Sequence, residues 1–135
     1  MERKKRIMLV DTDQDFVTHS KALLEKASYE VVVAASGEEC LQEVACRRPD
    51  LIILDLMMST PDNGFEVSRR LRNSERTKKI PIVMVSSASA VPPIHLRPDK
   101  TWLPVDMLIE KPVEPGTVLQ VVEKMLYACK TKTEG

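Results

Sequence analysis

Four short, uninterrupted apolar runs constrain this chain more than any other feature: Ile7–Val10, Val31–Ala34, Leu51–Leu54 and Ile80–Val85. A strand with one wet face alternates apolar and polar side chains. A strand covered on both faces reads instead as a continuous stretch rich in Val, Ile and Leu. A weaker fifth run, Met107–Ile109, extends the series. Helical patterns lie between the runs. Phe16, Ser20, Leu23, Leu24 and Ala27 recur at helical spacing behind Asp13, a residue type suited to an N-cap. Ser36-Gly37 opens a second helix over Glu38–Arg47, with Leu41, Val44 and Ala45 as its stripe. Asn63-Gly64 reads as a turn before Phe65, Val67 and Leu71, with Arg69, Arg70 and Arg72 directed outward. Pro115 suits a first helical position, and Val118, Val122, Met125, Leu126 and Cys129 share one face of a last helix ending near Cys129. Strands alternating with helices predict an α/β fold, a doubly wound parallel sheet of five strands with helices on both faces.

One stretch breaks the rhythm. Pro92, Pro93, Pro98 and Pro104 fall between Ser87 and Asp106. Proline lacks an N–H and clashes within a helix, so the helix due there is expected to be irregular, with Trp102 packing it down.

A chain of 135 residues suits one domain over 1–135, with its core at about 5–129 and a short charged tail at 130–135. Twenty basic residues balance twenty acidic ones. Counterion release on nucleic acid needs a basic excess, so direct DNA binding is not expected. The three cysteines, Cys40, Cys46 and Cys129, form no C-x-x-C pair and indicate neither a disulfide framework nor a zinc site. The basic start, Met1–Arg6, reads as a solvated lead-in, and the apolar run behind it is too short for a signal peptide or a membrane span. A cytoplasmic protein with no membrane insertion is the expectation.

In open α/β sheets, ligands bind beyond the carboxyl ends of the strands, so the residues ending each run matter most. The first run ends at Asp11, followed by Thr12 and Asp13; the third ends at Asp55; the fourth ends at Ser86-Ser87; the fifth runs into Glu110-Lys111-Pro112. Neighbouring carboxylates repel unless a hard cation lies between them, and Mg²⁺ prefers oxygen ligands. A carboxylate beside such a cation can attack phosphorus as a nucleophile, with an ammonium and a hydroxyl neutralising the phosphoryl oxygens.

Five motifs in order then identify a likeness: Ile7-Met8-Leu9-Val10-Asp11, Pro49 through Met58, Asn63-Gly64-Phe65-Glu66-Val67, Ile80 through Ser86, and Glu110-Lys111-Pro112. Along essentially its whole length the chain resembles the receiver domain of two-component response regulators. The resemblance implies a flavodoxin-like strand order of 2-1-3-4-5. It implies that Asp55 accepts a phosphoryl group from a sensor histidine kinase or phosphotransfer protein. Asp11, Asp55 and the backbone carbonyl of Met57 would hold Mg²⁺, with Thr12 or Asp13 as a further contact. Ser86 would take the switch hydroxyl's place and Lys111 that of the phosphate-contacting lysine.

The sequence also departs from the pattern. Thr12 stands where a second acid is usual, which lowers the expected metal affinity unless Asp13 swings in. Ser59 replaces the usual proline, the loop from Asp55 to Gly64 is one residue longer than common, and Leu108 occupies the aromatic switch position. Met57 and Ala88, the expected flanks of the phosphate, cannot orient a water, so hydrolysis is expected to be slow. His19 and His95 read as surface residues. With no effector domain expected after Gly135, output falls to a downstream protein partner or to a relay. Two other readings compete. A degenerate receiver could dock partners without phosphorylation. Asp11-Thr12-Asp13 also resembles the Asp-x-Asp motif of haloacid-dehalogenase-type phosphatases, but the acidic pair those enzymes need after the lysine is missing. A signalling module rather than a turnover enzyme is the expectation.

Overall fold

The computed structural model describes residues 4–56, 64–87, 105–111 and 113–134, with the backbone alone described at 65, 87, 111 and 128–134. Five strands, β1 (Arg6–Val10), β2 (Glu30–Ala34), β3 (Leu51–Asp55), β4 (Ile82–Ser87) and β5 (Met107–Lys111), alternate with α1 (Gln14–Lys26), α2 (Gly37–Cys46) and α3 (Gly64–Arg72), and α4 (Pro115–Glu134) closes the chain. All pairings are parallel, in the order β2-β1-β3-β4-β5. The irregular helix expected between Ser87 and Asp106, with Trp102 and His95, lies outside the described residues.

Strand periodicity sorts the core into two clusters. Ile7 and Leu9 of β1, Leu51 and Ile53 of β3 and Val83 and Val85 of β4 face Phe16, Val17 and Leu24 of α1 and Val118 and Val122 of α4. Their alternates, Met8, Val10, Ile52, Leu54, Ile82 and Met84, face Cys40 and Val44 of α2 and Val67 and Leu71 of α3. Burial on both sides explains the continuous apolar runs.

Helix ends follow local chemistry. Asp13 caps α1, its Oδ1 accepting the Phe16 N–H at 3.2 Å, and Ser36 caps α2, its Oγ accepting the Glu39 N–H at 3.1 Å. At the other end of α1, Ser28 takes φ = 74°. Its N–H donates to Glu25 O at 2.9 Å, and the Tyr29 N–H donates to Leu24 O at 3.0 Å. This is the left-handed helix stop that glycine usually supplies.

Several expectations need correction. Ala27 lies beyond α1 as its C-cap and is exposed, because the chain turns away there. The fourth strand starts at Ile82 rather than Ile80. The Ile80 N–H turns back to Thr77 O, and Pro81 has no N–H for the ladder, though its carbonyl accepts from Ile52 N at 3.0 Å. The last helix does not end near Cys129 but continues to Glu134, taking in most of the charged tail. No glycine or proline intervenes before Gly135 to stop it.

The basic residues also need correction. Arg69 and Arg70 are exposed as expected, but Arg72 folds back against the body. Its guanidinium donates to Lys78 O, Ile80 O and Asp106 Oδ2. Arg6, in the expected solvated lead-in, is likewise engaged, with Nε 2.7 Å from Glu30 Oε2 and its N–H 2.7 Å from Asp50 Oδ2. Among the described residues, no helix is long and apolar enough to cross a membrane.

Candidate functional site

Each parallel strand delivers its last residue to the same edge of the sheet, and register decides which of these end side by side. Val10 of β1 is level with Leu54 of β3, so Asp11 and Asp55 each stand one step beyond a paired position on neighbouring strands. Asp55 is level with Val85 of β4, and Ser86 follows immediately. Asp11 is 2% exposed, Asp55 6% and Ser86 2%. Two carboxylates and a hydroxyl are therefore buried together at the carboxyl edge.

Backbone bonds hold this edge. The Asp11 N–H donates to Ala34 O at 3.2 Å, and the Leu56 N–H donates to Val85 O at 2.8 Å. Asp11 Oδ1 accepts the Asp13 N–H at 2.8 Å, tying the strand end to the first turn of α1. Thr12 and Asp13 are both exposed, and Asp13 already serves α1 as its cap. Lys111 ends β5 level with Ser87, so its backbone reaches the same edge. Its side chain and the whole of Met57, like Ser59 and Ala88, lie outside the described residues. Leu108 is half-buried and packs against the cluster beneath α2 and α3. His19 is exposed.

In the sequence Gly64 reads as a turn residue and as part of the Asn63–Val67 motif, with no packing contact assigned to it. Gly64 opens α3 directly against the end of β3: its N–H donates to Leu56 O at 2.8 Å. A Cβ built there would stand 2.7 Å from both Asp55 O and Leu56 Cα. No side chain can occupy that space unless the strand end moves. The signal was the glycine itself, placed nine residues after Asp55, but nothing local shows what it abuts.

The donor set suits a small hard cation. Mg²⁺ is commonly held by one or two carboxylates together with waters, and Asp11 and Asp55 provide such a pair. Among the described residues no group of three His, Cys, Asp or Glu side chains gathers, so they form no all-protein cage of the kind used for structural zinc.

Comparison with known proteins identifies the family and the fold. The family model described as "Response regulator receiver domain" matches residues 7–123. Protein PilH of Pseudomonas aeruginosa is 27% identical over 124 residues, covering 90% of this chain and 97% of its own. The chemotaxis response regulator CheY4 of Vibrio cholerae superposes with a TM-score of 0.76 at 26% identity, covering 90% of this chain and 98% of that one. The receiver domain of sensor histidine kinase PA1611 from Pseudomonas aeruginosa, described with a magnesium ion coordinated in its active site cleft, has a TM-score of 0.75. At 20% identity, covering 92% of this chain and 98% of that one, it is similar in fold. Other curated relatives are longer, and the chain spans 33%, 12% and 34% of the length of three that it matches at 37–40% identity.

Proposed function

The chain belongs to the response regulator receiver family, a family of signalling modules rather than turnover enzymes, and we propose that within it Asp55 is the phosphoacceptor. The observation that carries this reading is the burial of Asp11 and Asp55 at register-adjacent strand ends, with Ser86 on the next strand. A carboxylate oxygen of Asp55 attacks the phosphorus of a phosphohistidine on a sensor histidine kinase or phosphotransfer protein. A P–O bond forms, the P–N bond breaks, and the released imidazole takes a proton from solvent. Asp11, Asp55 and the Met57 carbonyl would hold Mg²⁺, which when bound offsets negative charge on the transferring group. Asp11 is positioned for this by the Asp13 N–H on its Oδ1. The Ser86 hydroxyl donates to a phosphoryl oxygen, and Lys111 supplies the positive charge beside it.

The added charge, about −1.5 to −2 at neutral pH, then biases the loops at this edge. Output follows by binding a downstream protein in the cytoplasm, or by passing the phosphoryl group to another histidine. Incubation with acetyl phosphate and Mg²⁺, followed by intact-mass measurement, tests the assignment. A gain of one phosphate is expected for the parent and none for Asp55→Asn. No gain in the parent, or an equal gain in the variant, overturns it.

A second reading has one observation in its favour. Thr12 stands where the family usually has a second acid, and one carboxylate oxygen of Asp13 serves as the cap of α1, so fewer carboxylate oxygens remain for a metal. A receiver docking its partner without phosphorylation is what remains if the mass experiment shows no gain.

A further inference from the structure

Away from the carboxyl edge, α2 and α3 run back toward the amino ends of the strands, and their last turns do not close against each other. Between them lies a groove of about 180 Å³. Its floor is apolar, formed by Leu41, Val44 and Leu71, and Arg48, Arg70 and Arg76 stand around it. All three arginines are exposed. A space of this size is comparable to the roughly 150 Å³ engineered cavity that accepts benzene, so it holds one large side chain.

The charged residues that line the groove are all basic, and the excess lies on its α3 side, although the whole chain is neutral. From Glu66 to Lys79 the sequence places six basic residues against two acidic ones. Glu66 is shared between Arg69 at 3.7 Å and Arg70 at 3.8 Å, and Glu75 is taken by Lys78 at 2.9 Å. Arg48 points its Nε at the backbone carbonyl of Arg76, 3.3 Å away, which leaves its positive charge unneutralised by that contact. Arg72 is turned away to Asp106. The groove thus combines a half-open recess with a mostly apolar lining and a cationic rim, an arrangement in which an aromatic or aliphatic anchor can be desolvated on binding while peripheral charge sets partner choice.

The geometry points to a docking site for an acidic amphipathic segment of a partner protein: one aromatic or large aliphatic side chain enters between α2 and α3, and flanking carboxylates meet Arg48, Arg70 and Arg76. A nucleic-acid backbone would use the arginines but has no need of the Leu41–Val44–Leu71 floor, so a peptide fits better. This surface lies at the end of the sheet opposite Asp55, and its occupancy does not require phosphorylation.

A fluorescein-labelled, 16-residue helical peptide with one central Trp flanked by Glu at helical spacing is the probe, read by anisotropy and by amide shifts in a ¹⁵N-labelled sample. We expect saturable binding that moves the amides of Leu41, Val44 and Leu71. The double substitution Arg70→Glu/Arg76→Glu should weaken it by about tenfold or more, and Trp→Ala in the peptide should do the same. Ala45→Trp, at an exposed position on the groove wall, should block binding by filling the space from the protein's own side, which keeps the test independent of the charge variants. Each variant is first checked for an unchanged far-UV spectrum and melting curve. Absence of binding, amide shifts elsewhere, or undiminished affinity in both the double variant and Ala45→Trp overturns the proposal. Tighter binding by a single-stranded oligonucleotide that displaces the peptide does so as well, because the surface would then be reading phosphate.

Discussion

Asp11 and Asp13 are joined through a hydrogen bond from the Asp13 N–H to Asp11 Oδ1 at 2.8 Å, while Asp13 Oδ1 accepts the Phe16 N–H at 3.2 Å and caps α1. The two acids therefore do different work. Asp13→Ala keeps the backbone donor that orients Asp11 but loses the cap. It should cost about 1 kcal/mol in urea unfolding and leave Mg²⁺ affinity within about threefold of the parent. On the proposed assignment of Asp11 as a metal ligand, Asp11→Asn should weaken Mg²⁺ by about tenfold or more. Equal losses in the two variants would show that Asp13 binds the metal directly.

Gly64 shields the strand end that carries Asp55. With a Cβ 2.7 Å from Asp55 O and Leu56 Cα, Gly64→Ala must push α3 off β3 or bend the strand. Overpacking of this kind costs about 1–3 kcal/mol. Thermal unfolding should show the loss, and the rate of phosphate gain from acetyl phosphate should fall with it. Gly116→Ala is the control: a Cβ there meets nothing within 4 Å, so neither quantity should fall.

Ser28 offers the opposite result. It holds φ = 74° with both bonds of a glycine-type helix stop in place, and an L side chain is strained in that region. Ser28→Gly should raise stability by about 0.5–1 kcal/mol despite glycine's greater freedom in the unfolded chain. A fall in the urea midpoint would mean that the Ser28 side chain contributes more than its strain costs.

Burial pushes the Cys40 thiol up to about 12, from an ordinary value of 9.0. The Tyr29 hydroxyl is also raised, first by burial and then by its hydrogen bond with Tyr127. Between pH 9 and 12 the unfolded chain releases the Cys40 proton while the folded chain retains it, so stability is full below pH 9 and declines above it. Cys40→Ala should make that decline shallower, though Tyr29 still contributes. In the parent at pH 8, exposed Cys46 should react with iodoacetamide well before Cys40. Identical alkaline slopes in parent and variant would place Cys40 in contact with solvent.

The fold was readable because its governing signal is local. Apolar runs such as Leu51–Leu54 announce two-sided burial, and caps such as Asp13 sit beside the helices that they start. The carboxyl-edge residues Asp11, Asp55 and Ser86 were readable for the same reason, since each directly follows or ends an apolar run. What escaped depends on partners far along the chain. Arg72 looks like a solvated helix residue until Asp106, 34 positions later, comes into reach. Asp106 Oδ2 also accepts the Ile82 N–H at 2.7 Å, so one carboxylate ties together the end of α3 and the starts of β4 and β5. Arg6 meets Asp50 across 44 positions. The role of Gly64 was hidden likewise, because a turn glycine and a close-packing glycine are identical in sequence.

The alternation of β1, β3 and β4 between two clusters means that this protein has two interiors separated by a wall one backbone thick. Space opened beside Leu24 of α1 cannot be refilled by Leu71 of α3, and a side chain enlarged on one side does not crowd the other. Substitutions on opposite faces should therefore add in their effects, while those on one face interact. Each helical layer can change its residues independently around an unchanged sheet, and the carboxyl edge with Asp11 and Asp55 belongs to the part that both layers must leave alone.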